Sequence, residues 1–143
     1  MLVDTNLLVY STFSGMPEHE RAHGWLEERL TEGESAVVLC WPVLYAFVRL
    51  ATNARIFRQD ALSLTSAWEL VTKYLALPGM RVVTAGPRHA AIAAELAGTP
   101  GLRSEDVPDV ELAALAVEHG LALASRDHGF RRFAALRFVD PLS

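Results

Sequence analysis

The first ten residues, MLVDTNLLVY, constrain the fold more than any other stretch. Leu2 and Val3 are apolar, Asp4-Thr5-Asn6 interrupts them, and Leu7 to Tyr10 is almost wholly apolar again. A buried strand that ends in a carboxylate and turns directly into a helix reads this way. In a parallel α/β sheet the carboxyl end of a strand is where ligands and chemistry are found. Alone, Asp4 or Thr5 reads as a helix cap. Two further carboxylates that return to the same edge change the reading.

The remaining chain alternates strands and helices. Helices are expected over Leu7 to about Phe13 and from Pro17 to about Leu30, then a strand over Ser35 to Cys40. Pro42 opens a helix to about Thr52, with Leu44, Phe47, Val48 and Ala51 on one side. A longer helix follows from Asp60 to Leu77, a strand over Arg81 to Val83, and a helix from Pro87 to about Ala97. Pro108 begins the next helix and Gly120 ends it. Strands over Leu121 to Ala124 and Leu136 to Val139 flank a helical turn. This alternation predicts an α/β fold, a parallel sheet covered on both faces.

Asp4 and Asp127 both follow strands that point the same way, so both leave at one edge. Asp109 starts a helix of about a dozen residues, roughly 18 Å long, that feeds the strand before Asp127. That helix runs antiparallel to the strand, so its N-terminus returns to the same edge, where its dipole favours negative charge. Three converging carboxylates repel one another unless a cation sits between them, and all-oxygen sites suit Mg²⁺ or Mn²⁺. Such an ion activates water and polarises a phosphoryl oxygen, the apparatus of phosphodiester hydrolysis. Separately, Asp109 reads as a first-turn helix acid and Asp127 as a turn residue.

Composition narrows the class. With 143 residues, 51% hydrophobic and 21% charged, the chain is expected to be one globular domain spanning 1–143. The lone Cys40 sits in an apolar run and excludes an internal disulfide. Asp4 stands where a basic leader would begin, and the longest apolar stretch, Ala36 to Val48, is short and broken by Pro42. A cytoplasmic protein without a membrane span is the expectation. The net charge of −4 argues against a broad electrostatic coat for nucleic acid, though not against a local site.

LVDTNLLVY, WPVLYAFVRLATN, PDVELAALAVEHG and LALASRDHGFRRF resemble, in that order, the PIN domain, and in particular VapC-type toxins of bacterial toxin–antitoxin pairs. The likeness runs from Met1 to Pro141. It implies a three-layer α/β/α fold and a Mg²⁺-dependent endoribonuclease, with Mn²⁺ as a substitute. It also implies Asp4, Asp109 and Asp127 as catalytic metal ligands, and Asn6 and Ser125 as supports. The implied partners are RNA, a small antitoxin and a second copy in a homodimer. Two positions depart from the fullest family pattern. Ala46, before Phe47-Val48-Arg49, replaces a frequent Glu, and Gly129 replaces a frequent Asp; Glu105, Asp106 or Glu111 could compensate. The rival reading is a PIN-fold RNA-binding or interaction module without cleavage.

Other signals carry less. His19-Glu20-Arg21-Ala22-His23 spells the zincin motif, but it lies in a helix's first turn with no third ligand. Arg49, Arg126, Arg131 and Arg132 are candidate RNA contacts. Trp25, Leu26, Trp68 and Val71 suggest an apolar patch for a partner helix.

Overall fold

In the computed structural model, which describes residues 1–143, the apolar runs pair as five parallel strands. These are β1 (Leu2–Val3), β2 (Val38–Cys40), β3 (Arg81–Val83), β4 (Leu123–Ala124) and β5 (Phe138–Val139). Their order across the sheet is β3-β2-β1-β4-β5. Parallel neighbours need crossovers, which the helices supply. They are α1 (Thr5–Thr12), α2 (His19–Thr31), α3 (Trp41–Ala51), α4 (Ala54–Phe57), α5 (Leu64–Ala76), α6 (His89–Leu96) and α7 (Val107–Glu118).

The steps from β1 to β2 to β3 go outward in one direction, so right-handed crossovers put α1 to α5 on one face. The step from β3 to β4 crosses back, which places α6 and α7 on the other. The packing agrees: α1 lies against α2 and α3, α3 against α5, and α6 against α7. Between the layers Leu2, Val3, Val38, Leu39 and Cys40 are completely buried. They form one core with the inward stripe of α3, namely Val43, Leu44, Phe47, Val48 and Ala51. Burial holds the Cys40 thiol protonated, its pKa pushed up to about 11, as expected of a core side chain.

Element boundaries moved where local hydrogen bonds compete. Ser35 adopts a positive φ of 62°, so the second strand begins only at Val38. Ser63 accepts from the Ser66 amide at 3.0 Å and starts α5 at Leu64, four residues after the expected Asp60. Asn53, expected only to end a helix, caps the short α4 through the Arg55 amide at 2.9 Å. At the end of α7, Gly120 takes φ 65°. Its amide bonds Val117 O and that of Leu121 bonds Ala116 O, a Schellman closure.

The apolar patch expected from Trp25, Leu26, Trp68 and Val71 is a correction. Leu26 and Val71 are buried in the core and both tryptophans are half-buried against it. Those helix stripes are consumed by α2 and α5 packing inward. The exposed large apolar side chains are instead Trp41, Tyr45, Ile56, Leu64 and Val107.

Candidate active site

The chain leaves β1 toward β2 on one side, while β4 lies on the other. This is a topological switch point, where a crevice opens beyond the carboxyl ends of β1 and β4. Val3 pairs with Ala124, so Asp4 and Ser125 emerge side by side. Asp4 does cap α1: its Oδ1 accepts from the Thr5 amide at 2.7 Å. That leaves Oδ2 for the cleft, where the Ser125 hydroxyl donates to it at 2.6 Å.

Ser125 is fully buried and joins the polar groups of the edge. Its oxygen accepts from Asn6 Nδ2 at 3.1 Å and from the Asp127 amide at 2.9 Å. One donated and two accepted bonds use the full capacity of a hydroxyl. Asn6 also reaches Asp4 Oδ2 at 3.4 Å. The two expected supports therefore link β1, α1 and the exit of β4. Asp127 lies exposed on that exit, its Oδ1 accepting from the Gly129 amide at 2.8 Å. A Cβ at Gly129 would stand 2.9 Å from the same oxygen, so glycine leaves this carboxylate its place.

Asp109, in the first turn of α7, lines a cleft of about 460 Å³ together with Asp4, Tyr45, Ala46, Arg49 and Glu111. Position 46 therefore faces the carboxylates, and its methyl group leaves the floor open. Burial, reinforced by Asp127, raises the pKa of both Asp4 and Asp109; bonds from Ser125 and Thr5 oppose it at Asp4, and Arg132 opposes it at Asp109. Of the three candidate compensators only Glu111 lines the cleft. Glu105 pairs with Arg103 at 3.1 Å. Asp106 accepts from the Arg103 amide at 2.9 Å and pairs with Arg132 at 3.3 Å.

The candidate RNA contacts divide. Arg49 lines the cleft and pairs with no carboxylate. Arg126 is tied to Asp140 at 2.6 Å, and Arg131 lies over the Phe138 ring at 5.4 Å. Arg132 was expected to face RNA but reaches Asp109 at 2.8 Å. His19 and His23 do not converge on a metal site: His19 Nδ1 meets Tyr10 O at 2.9 Å and His23 pairs with Glu27 at 3.2 Å.

No three His, Cys, Asp or Glu side chains stand as a closed ligand set. The donors at the switch point nevertheless suit a hard cation. They are carboxylate oxygens, two are desolvated, and one already holds a guanidinium. Sequence reasoning missed Tyr45, and it named Arg132 as an RNA contact without its pairing to Asp109. For Tyr45 a signal existed, since Trp41, Tyr45 and Arg49 fall four apart, opposite the apolar stripe of α3.

Fold and cleft together define an α/β/α protein with an acidic site at its switch point. The chain belongs to the PIN domain family, which matches residues 1–136. It is 38% identical over 142 residues to Ribonuclease VapC33 of Mycobacterium tuberculosis, covering 99% of this chain and 98% of the relative. Among solved structures it resembles VapBC2 from Rickettsia felis bound to a promoter DNA fragment, with TM-score 0.71, 14% identity and 96% of each chain covered. It also resembles a toxin–antitoxin complex from Klebsiella pneumoniae, with TM-score 0.61, 21% identity, and 98% and 96% covered.

Proposed function

We propose that the chain is a divalent-metal-dependent endoribonuclease, the toxin of a toxin–antitoxin pair. The observation that carries this is that Asp4 and Asp109 line one cleft while Ser125, bonded to Asp4 Oδ2 and to the Asp127 amide, brings the exit that carries Asp127 beside it. The named ribonuclease relative supports the activity, and the solved toxin–antitoxin neighbour shares the fold. Asp4, Asp109 and Asp127 would hold the cation, Mg²⁺ or in its place Mn²⁺, which would supply positive charge to polarise a phosphoryl oxygen and make water more acidic.

The chain's own groups do the positioning. Ser125 and Asn6 fix Asp4 Oδ2 while the Thr5 amide fixes Oδ1, so this carboxylate enters the cleft in one orientation. Arg49 meets RNA phosphate at the rim. A small antitoxin protein covers the cleft and restrains activity, and two copies pair as a homodimer. No helix is long and apolar enough to cross a membrane; acting on cellular RNA, the protein would work in the cytoplasm.

The test is incubation with total cellular RNA in Mg²⁺ and in chelator. Cleavage is expected only with metal, and Asp4→Asn, Asp109→Asn and Asp127→Asn should each lower it at least about 100-fold. Thermal unfolding should show folded variants, since each change removes a carboxylate charge from a crowded edge. Full activity in any two would remove the metal-site reading. RNA binding without cleavage by the parent chain would support the cleavage-deficient module instead.

A further inference from the structure

The start of α7 looks into two adjoining cavities. Glu111 lines the acidic cleft with Asp4 and Asp109. It also lines a smaller hollow of about 190 Å³ at the carboxyl end of β3, and Pro42 is common to both. Trp41, Val83 and Leu115 give the hollow apolar walls, while Glu111, Thr84 and His89 are the polar side chains that line it. Glu111 is exposed and forms no ion pair or hydrogen bond within the chain.

The wall formed by the exit of β3 is held in place from behind. The buried Glu118 accepts from the Gly86 and Arg88 amides at 2.8 and 2.9 Å, and His119 Nε2 meets Thr84 O at 2.7 Å. A Cβ at Gly86 would stand 2.7 Å from Glu118 Oε2, so glycine permits this close approach. His89 follows directly on the tied segment. Its side chain is 21% exposed, and Nδ1 is shut inside, 4.0 Å from Glu118 Oε1 and without a hydrogen bond. Nε2 is the ring atom left to meet a ligand.

A carboxylate that a ligand covers must regain the bonds it made to water. A small apolar hollow with one free carboxylate therefore selects a flat ligand that returns them. Among the RNA bases only guanine offers two adjacent N–H groups, on N1 and N2, to a single carboxylate, while its O6 and N7 accept. Uracil offers one N–H between two carbonyl oxygens. Adenine and cytosine offer an amino group beside a ring nitrogen whose lone pair a carboxylate repels. Any base but guanine leaves Glu111 short of a partner, which is how a polar site rejects an analogue.

We propose that the hollow is a guanine pocket, in which Glu111 accepts from N1 and N2 of one guanine of the RNA and His89 Nε2 donates to O6. This rests on the endoribonuclease reading and adds the identity of one base beside the nucleotide being cut. It makes Glu111 and His89 determinants of where the enzyme cuts.

The experiment uses the full chain carrying Asp127→Asn, with Mg²⁺ present, and follows fluorescence anisotropy of labelled oligouridylates that carry one guanosine, inosine or adenosine. The guanosine strand should bind about tenfold more tightly than the adenosine strand, as one bidentate base contact provides. Inosine, which lacks the N2 amino group, should fall between them. Adding Glu111→Gln should bring the guanosine-to-adenosine ratio close to one. Because the ratio is taken within one variant, any change in metal affinity cancels. His89→Phe should lower the ratio in the same direction, by less. A ratio near one before these changes, or one that either change leaves as it was, overturns the proposal. So does 5′-GMP that binds while the oligonucleotides stay undiscriminated, which would assign the hollow to a free nucleotide. The unsubstituted chain, assayed alongside on total RNA, separates the readings. Cleavage without guanosine preference defeats the pocket alone, whereas neither cleavage nor RNA binding defeats the nuclease.

Discussion

Arg132 places a positive charge on Asp109, one of the three carboxylates of the cleft, and so competes with any cation that enters. It is held from two other sides, by Asp106 at 3.3 Å and by the Phe133 ring 5.1 Å from the guanidinium carbon. It can therefore release Asp109 without leaving the rim. Arg132→Gln should tighten Mn²⁺ binding, read by calorimetry, by up to about fivefold, the equivalent of a partly exposed ion pair of about 1 kcal/mol. In chelator the same variant should be less stable by up to a similar amount. Unchanged Mn²⁺ affinity would show that the pair does not oppose the metal. Much of the candidate site was legible: the strand-to-helix pattern marks Asp4, and the resemblance to the PIN domain adds Asn6 and Ser125. The pairing of Arg132 with Asp109 was not, because the two lie 23 residues apart on different elements.

At the scale of elements, the loop that carries Asp127 is pinned from β5. Asp140, just past that strand, has a side chain only 2% exposed and accepts from Arg126 and His128, each at 2.6 Å. Burial alone would raise its pKa, but bonds from His128, the Leu142 amide and Arg126 hold it below the ordinary 3.8. A depressed carboxylate contributes stability above the unfolded value and loses it as pH falls through the folded one. Asp140→Asn should thus cost about 1–3 kcal/mol at neutral pH in urea unfolding, and the gap should close below pH 3.8. A gap independent of pH would mean that the charge is not what holds the loop. On the other face, the buried Glu118 accepts from the Gly86 and Arg88 amides at 2.8 and 2.9 Å, tying α7 to the start of α6. These ties were invisible in the sequence, since Asp140 and Glu118 look like exposed acids near element ends. The helices themselves were readable from apolar spacing. Their first residues were not, because serine and asparagine caps decide them.

Across the whole molecule, the alternation of strands and helices specified a parallel sheet, and right-handed crossovers then fixed which helices share a face. The strand order was the missing piece. Nothing local says that β4 returns beside β1, yet this return creates the switch point and the cleft. It also sets the order in which a ribosome can make an active protein. Asp4 is synthesised before the Ser125 that orients it, which lies 121 residues later, on the order of ten seconds at ordinary rates of elongation. Arrested nascent chains of increasing length should gain protease resistance and RNA cleavage together, once β4 and Asp127 have cleared the exit tunnel; a shorter chain that cuts would refute this. A chain wired in this way cannot cut RNA until Ser125 and Asp127 have joined the fold.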